Sequence, residues 1–170
     1  RNPEDACLKC RIASKLVDFV VRMGARAFGA NPEEVRERMR DPYWRRALVS
    51  VVKGLEAFGV RRPFVPGAPF LVVWDVTHAC NLRCKHCYAN AQYREEDEIT
   101  TQEAKRVVDI LHRAGVVSIA WSGGEPLVRG DIFELSRYAS EKGFYMAMET
   151  NGTLINEETA DKLWSSGVRF

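Results

Sequence analysis

Between residues 70 and 170 one pattern is written three times: an apolar run rich in β-branched and aromatic residues, a short loop, then a helix with its own start and stop signals. Phe70 to Val76 reads as a buried strand. After a long polar loop, Thr100 and Glu103 form a capping box, Ile99 and Ala104 a hydrophobic staple, and Ala104, Val107, Val108 and Leu111 the buried face of a helix that Gly115 closes. Val116 to Trp121 is the second strand, Gly123-Gly-Glu-Pro126 its turn, and Asp131 to Glu141 its helix, with Asp131 and Glu134 as the box and Gly143 as the stop. Phe144 to Glu149 is the third, followed by Thr150-Asn-Gly152 and a helix over Asn156 to Ser166, stapled by Ile155 and Ala160 and ended by Gly167. Strand-loop-helix units of about 30 residues imply an α/β fold of parallel strands joined by right-handed crossovers. In such folds chemistry gathers at the carboxyl ends of the strands. The loop after each strand here falls on one rim.

The first 60 residues follow a different grammar. Ile12, Leu16, Phe19, Val20, Met23 and Ala27 recur on one helical face, and Gly29 is a plausible stop. Asn31-Pro32, followed by Glu33 and Glu34, starts a short second helix. Asp41-Pro42 starts a third, with Trp44, Leu48, Val51, Val52, Leu55 and Phe58 as its apolar stripe and Gly59 as its end. Arg61 to Pro69 holds three prolines in nine residues and reads as a stiff linker. The expected organisation is therefore an all-α unit over 1–60, a linker over 61–69 and an α/β core over 70–170. Arg61 and Arg62 read as solvated linker, and Arg36, Arg38, Arg40, Arg45 and Arg46 as polar helix faces.

Charge narrows the partners. Twenty-five basic residues against 23 acidic leave +2, which gives no electrostatic case for nucleic acid or an anionic membrane. No apolar run approaches the roughly 20 residues of a spanning helix, and no secretory signal opens the chain. Five cysteines, grouped as two and three, fit metal binding in a reducing compartment better than a disulfide framework, so the cytoplasm is expected.

Cys80-Asn-Leu-Arg-Cys84-Lys-His-Cys87 sets three thiols within eight residues at the end of the first strand. Soft thiolates select zinc, Cu(I) or iron-sulfur clusters, and a site held wholly by protein needs four ligands. The loop has three. Three readings stand on the residues alone: a structural zinc site completed by His86 or a distant cysteine, an electron-transfer cluster with a fourth cysteine, or a cluster with one iron left open for a small molecule. The zinc reading would make the chain an interaction module. Against it, His86 adjoins Cys87, and the loop lacks paired C-x-x-C knuckles.

The spacing Cys80-x-x-x-Cys84-x-x-Cys87 after a first strand, with Gly123-Gly-Glu-Pro126 after the second, resembles the radical S-adenosylmethionine (radical SAM) superfamily. The fuller wording, through Tyr88, Leu127 and Thr-Asn-Gly152, is similar to the branch whose members often carry a C-terminal SPASM domain with auxiliary clusters. The resemblance covers about residues 70 to 170. It implies a partial (βα)-type barrel of which about the first three units are present, Cys80, Cys84 and Cys87 on three irons of a [4Fe-4S] cluster, and S-adenosylmethionine on the fourth. It implies reductive cleavage to a 5′-deoxyadenosyl radical that abstracts hydrogen from a peptide, tetrapyrrole or lipid substrate. A small-molecule or peptide substrate and a reductant protein such as flavodoxin or ferredoxin are the implied partners.

The resemblance also implies cofactor contacts. Gly123, Gly124, Glu125 and Pro126 would meet the methionyl amino group, the glycines by leaving the backbone open to approach and Glu125 by its carboxylate. His86 holds the family's position near the adenine, against the alternative of a solvated loop histidine. Thr150 and Asn151 approach S-adenosylmethionine or merely cap and turn. Glu149 departs from the apolar residue common before Thr-Asn-Gly, and either faces substrate or is a surface charge. Cys7 and Cys10 are half of an auxiliary cluster or metal site, or a redox dithiol, or neither. The chain starts without Met and stops where a strand begins, so a piece of a longer protein is expected, with a six-unit, partly open barrel.

Overall fold

The computed structural model describes residues 7–9, 11, 12, 14, 15, 18, 19, 22, 31–60 and 63–170. Two compact units result, Arg1–Trp44 and Arg45–Phe170.

In the first unit the described residues between 8 and 22 are helical, with Ile12 and Phe19 exposed. Leu16, Val20, Met23, Ala27 and Gly29 lie outside the described residues. Helix α1 (Pro32–Arg38) starts as expected, the Asn31 side chain accepting the Glu33 N–H at 3.0 Å. Asp18 pairs with Arg22 and Arg36 at 2.9 and 3.2 Å on the surface, where ion pairs contribute little.

Helix α2 (Pro42–Phe58) opens with the Asp41 carboxylate accepting the Tyr43 N–H. Its buried face is not the expected stripe. Ala47, Ser50 and Gly54 are buried, whereas Val52, Leu55 and Phe58 are exposed. Backbone explains the difference: a Cβ at Gly54 would collide with the Val65 carbonyl, so small residues let the returning chain lie directly on the helix. The Gly67 N–H donates to the Ser50 carbonyl, and the Ser50 hydroxyl both donates to the Ala68 carbonyl and accepts the Ala68 N–H. Residues 63–68, expected as linker, thus pack on α2. The compact units divide inside α2 rather than at the prolines.

The core of the second unit is a three-stranded parallel sheet in the order β1-β2-β3, with β1 Leu71–Thr77, β2 Ser118–Gly123 and β3 Tyr145–Met148. A parallel bridge from Met146 to Val168 continues it past β3. Helices α3 (Thr101–Ala114), α4 (Ile132–Glu141) and α5 (Glu157–Ser165) follow the strands in turn. The register aligns Trp74 with Trp121 and Met148 on one face, and Asp75 with Ser122 on the other. The first face is the core, where Ile119, Trp121 and Met146 are fully buried against Ala104, Val108, Ile132 and Leu135. Trp121 donates its indole N–H to Ser136 at 2.9 Å, which satisfies the one polar atom its burial removes from water.

Helix ends mostly follow the local signals. The Thr100–Glu103 box forms in both directions, Gly115 takes a left-handed φ of 88°, and Asn156 caps α5 through the Thr159 N–H. Asp131 is the exception and makes no cap. Its carboxylate is held by Arg129 at 2.7 Å and by the Thr101 hydroxyl at 2.7 Å, a stronger partner set than an exposed N–H.

Candidate functional site

The cysteine loop leaves β1 through a register shift between Asp75 and Thr77. Two sets of contacts hold its root. From the β2 turn, the Gly124 N–H donates to the Thr77 carbonyl and the Glu125 N–H to the Ala79 carbonyl, each at 2.8 Å. From the other side, the Thr77 hydroxyl accepts the Ala79 N–H at 3.1 Å and donates to Glu98 at 2.5 Å. Glu98 faces the buried guanidinium of Arg129 at 3.5 Å, and Arg129 also donates to the carbonyls of Val76 and Ile99 at 2.6 and 2.9 Å. Burial works to raise the Asp131 carboxyl, but hydrogen bonds from Arg129 and Thr101, with the Arg129 charge, outweigh it and hold that carboxyl below its ordinary value.

The two glycines serve this packing. A Cβ at Gly124 would collide with the Ala79 carbonyl oxygen and stand 3.0 Å from that of His78. At Gly123, where φ is +113°, a Cβ would collide with the Thr77 carbonyl and lie 3.1 Å from the Asp75 Cα. The space a side chain would fill is occupied by the cysteine loop's own backbone.

Glu125 is fully buried, and both its oxygens are engaged. One accepts the Thr150 hydroxyl at 2.8 Å and the Leu127 N–H at 3.0 Å, and the other the Asn151 N–H at 2.8 Å. It ties the β2 turn, including the 3-10 turn Pro126–Val128 with its buried Pro126, to the Thr-Asn-Gly turn after β3. Asn151 reaches on to the cysteine loop, its amide donating to the Asn81 side-chain oxygen at 2.9 Å. Thr150, Asn151, Glu125 and the loop root therefore meet at one rim, as the parallel repeat requires.

Cys80 is half-buried, and Cys84, His86 and Cys87 are exposed on the same loop. All three cysteines carry free thiols. Among the described residues no three His, Cys, Asp or Glu side chains are grouped about a single-ion position. A four-iron cluster takes one thiolate per iron, so three free thiols on one open loop fit such a group with one iron left over. Glu149 is exposed on the sheet face opposite the core and accepts the Ser122 hydroxyl at 2.7 Å. Cys7 is exposed in the first unit, and Cys10 lies outside the described residues.

Sequence reasoning missed Asn81, Thr153, Glu98 and Arg129. The signals are faint: an amide between two cysteines, and an arginine between a turn and an acidic helix start.

A family model described as the radical SAM superfamily matches residues 74–170. The chain is 48% identical over 101 residues to the Fe-coproporphyrin III synthase of Methanosarcina barkeri, covering 59% of this chain and 25% of that protein. It is 40% identical over 99 residues to the mycofactocin maturase MftC of Mycolicibacterium smegmatis, covering 58% and 25%. The chain thus spans about a quarter of the length of these relatives. In structure it is similar to Streptococcus suis SuiB bound to S-adenosylmethionine, with a TM-score of 0.53, 22% identity, and 90% and 34% of the two chains covered, which speaks for the fold. The chain belongs to the radical SAM superfamily, enzymes that work with a [4Fe-4S] cluster and S-adenosylmethionine.

Proposed function

We propose that Cys80, Cys84 and Cys87 hold a [4Fe-4S] cluster at the carboxyl rim, and that S-adenosylmethionine binds beside it against the Gly123–Pro126 turn. The observation that carries this reading is the joining of the two motifs: three free thiols stand on a loop whose root is hydrogen-bonded, backbone to backbone, to the glycine turn. When bound, the cluster would pass one electron from the reductant into the sulfonium of S-adenosylmethionine, whose C–S bond would break to release methionine and the 5′-deoxyadenosyl radical that takes hydrogen from substrate. The chain's residues do the rest by position. Gly123 and Gly124 let the turn and loop touch, and Glu125 fixes the turn to β3. With its carboxylate so engaged, Glu125 acts on S-adenosylmethionine through the backbone it orients. His86, on the exposed part of the loop, is available to the adenine.

The substrate is a tetrapyrrole, the class named in Fe-coproporphyrin III synthase, or a peptide, such as the precursor SuiA bound to SuiB. It enters against the sheet face opposite the core, where Asp75 and Glu149 are exposed at the carboxyl end. A flavodoxin or ferredoxin in a reducing compartment such as the cytoplasm delivers the electron. Among the described residues no helix is long and apolar enough to cross a membrane.

The test is anaerobic: the whole protein is reconstituted with iron, sulfide and S-adenosylmethionine, reduced with dithionite, and assayed for 5′-deoxyadenosine. Its formation, from a brown protein with four irons per site, is the expected result. A colourless protein with one zinc, or a cluster that leaves S-adenosylmethionine intact, overturns the reading.

A further inference from the structure

Asn81 lies between the first thiol of the loop and the other two, and both ends of its side-chain amide are engaged across the rim. Its Nδ2 donates to the Thr153 hydroxyl at 2.8 Å, that hydroxyl donates to Asn151 Oδ1 at 2.6 Å, and Asn151 Nδ2 donates to Asn81 Oδ1 at 2.9 Å. The three side chains, at the exposed rim, close a ring in which every donor points the same way round. The Thr153 N–H adds a fourth bond to Asn151 Oδ1 at 2.9 Å. The far side of the ring is itself fixed, because the Asn151 N–H is held by buried Glu125.

We propose that Asn81, Asn151 and Thr153 are positioning residues that set the Cys80 thiol before any cluster is present. This rests on the reading of Cys80 as a cluster ligand. Both chain neighbours of Cys80 are tied to the same turn: Ala79 through its carbonyl and the Glu125 N–H, Asn81 through the ring that ends on the Glu125 carboxylate. The Leu82 N–H points at the Cys80 sulfur at 3.4 Å. The segment bearing Cys84 and Cys87 is held differently, by bonds within itself. Cys87 N–H donates to the Cys84 carbonyl, Asn90 N–H to the Cys87 carbonyl, and Arg83 to the Tyr93 hydroxyl. Cys80 is thus the preset ligand, and the other two close on the iron as the cluster is built.

Thr153 allows a clean test, since Thr153→Val keeps the shape and removes the hydroxyl that both accepts and donates in the ring, whereas Thr153→Ser keeps it. In the cluster-free whole protein, iodoacetamide labelling of each cysteine is followed by mass spectrometry. With the ring broken, Cys80 in Thr153→Val is expected to react about twofold to tenfold faster than in the parent, with Cys84 and Cys87 unchanged and Thr153→Ser at the parent rate. After reconstitution, the reduced cluster's electron paramagnetic resonance spectrum should differ in Thr153→Val at full iron content and return in Thr153→Ser. An unchanged Cys80 rate, a rise shared by all three thiols, or spectra identical in all three proteins each overturns the clasp. If the parent's spectrum ignores S-adenosylmethionine, the proposed function fails, while the labelling result still judges the ring.

Discussion

The two ends of the sheet are both closed by polar groups, and they are closed in opposite ways. At the amino end a single cation does it. Arg46 of α2 donates to the carbonyls of Val116, His112 and Lys142, where α3 and α4 end, and lies 4.6 Å from the Phe144 ring centroid. A guanidinium suits that place because helix carboxyl ends carry unpaired carbonyls and partial negative charge. Burial lowers its proton affinity, and its Nε is buried without a hydrogen-bond partner among the described residues. At the carboxyl end the closure is shared among a carboxylate, two amides, several hydroxyls and backbone N–H groups, linking three loops. The amino-end closure gathers on Arg46 and the carboxyl-end closure is spread over three loops; on the reading proposed above, the first serves stability and the second positions the cysteine loop.

That contrast can be broken at several points. The largest effect is expected from Cys84→Ala, which should abolish iron and acid-labile sulfide while the helices of the first unit remain folded by circular dichroism. Retained iron would remove Cys84 from the ligands. Gly124→Val comes next. Because its side chain would displace the Ala79 carbonyl, iron content and S-adenosylmethionine affinity should fall together, each about tenfold or more for a loss above about 1.4 kcal/mol. A variant with full iron and weakened S-adenosylmethionine binding would move Gly124 from loop packing to ligand contact. Arg46→Met should do the reverse, lowering stability by about 2 kcal/mol in chemical denaturation with iron per chain unchanged. Loss of iron in that variant would show that the two ends are coupled. The smallest effect is a pH dependence. The folded Asp131 carboxyl is depressed, so its contribution is present above its unfolded value of about 4 and is lost as pH falls through the folded value. Asp131→Asn should therefore flatten the loss of stability as pH falls below about 4, and an unaltered acid limb would contradict the Arg129 pairing.

What the sequence disclosed and what it hid separate by reach. The Thr100–Glu103 box, the Asn156 cap and the Gly115 turn join residues three or four apart, and their composition announces them. The parallel repeat likewise placed all three loops on one rim. Asp131 carried the same local signature, yet Arg129, two residues earlier, took its carboxylate. The face of α2 was misread because what lies on it is backbone, and periodicity marks only where apolar side chains recur. Asn81 to Asn151 and Arg129 to the Val76 carbonyl span 70 and 53 residues, and such bonds leave no pattern in a single sequence.

The contact of the Ala79 carbonyl with Gly124 bears on any attempt to recombine this protein with its relatives. A cysteine loop transplanted alone would carry its own path out of the strand and meet a turn shaped for another. The smallest exchangeable part is a pair of segments far apart in the chain, the exit of β1 and the turn of β2, moved together. Chimaeras that split the pair should fold yet fail to load iron, whereas those that keep it whole can trade the rest of the barrel.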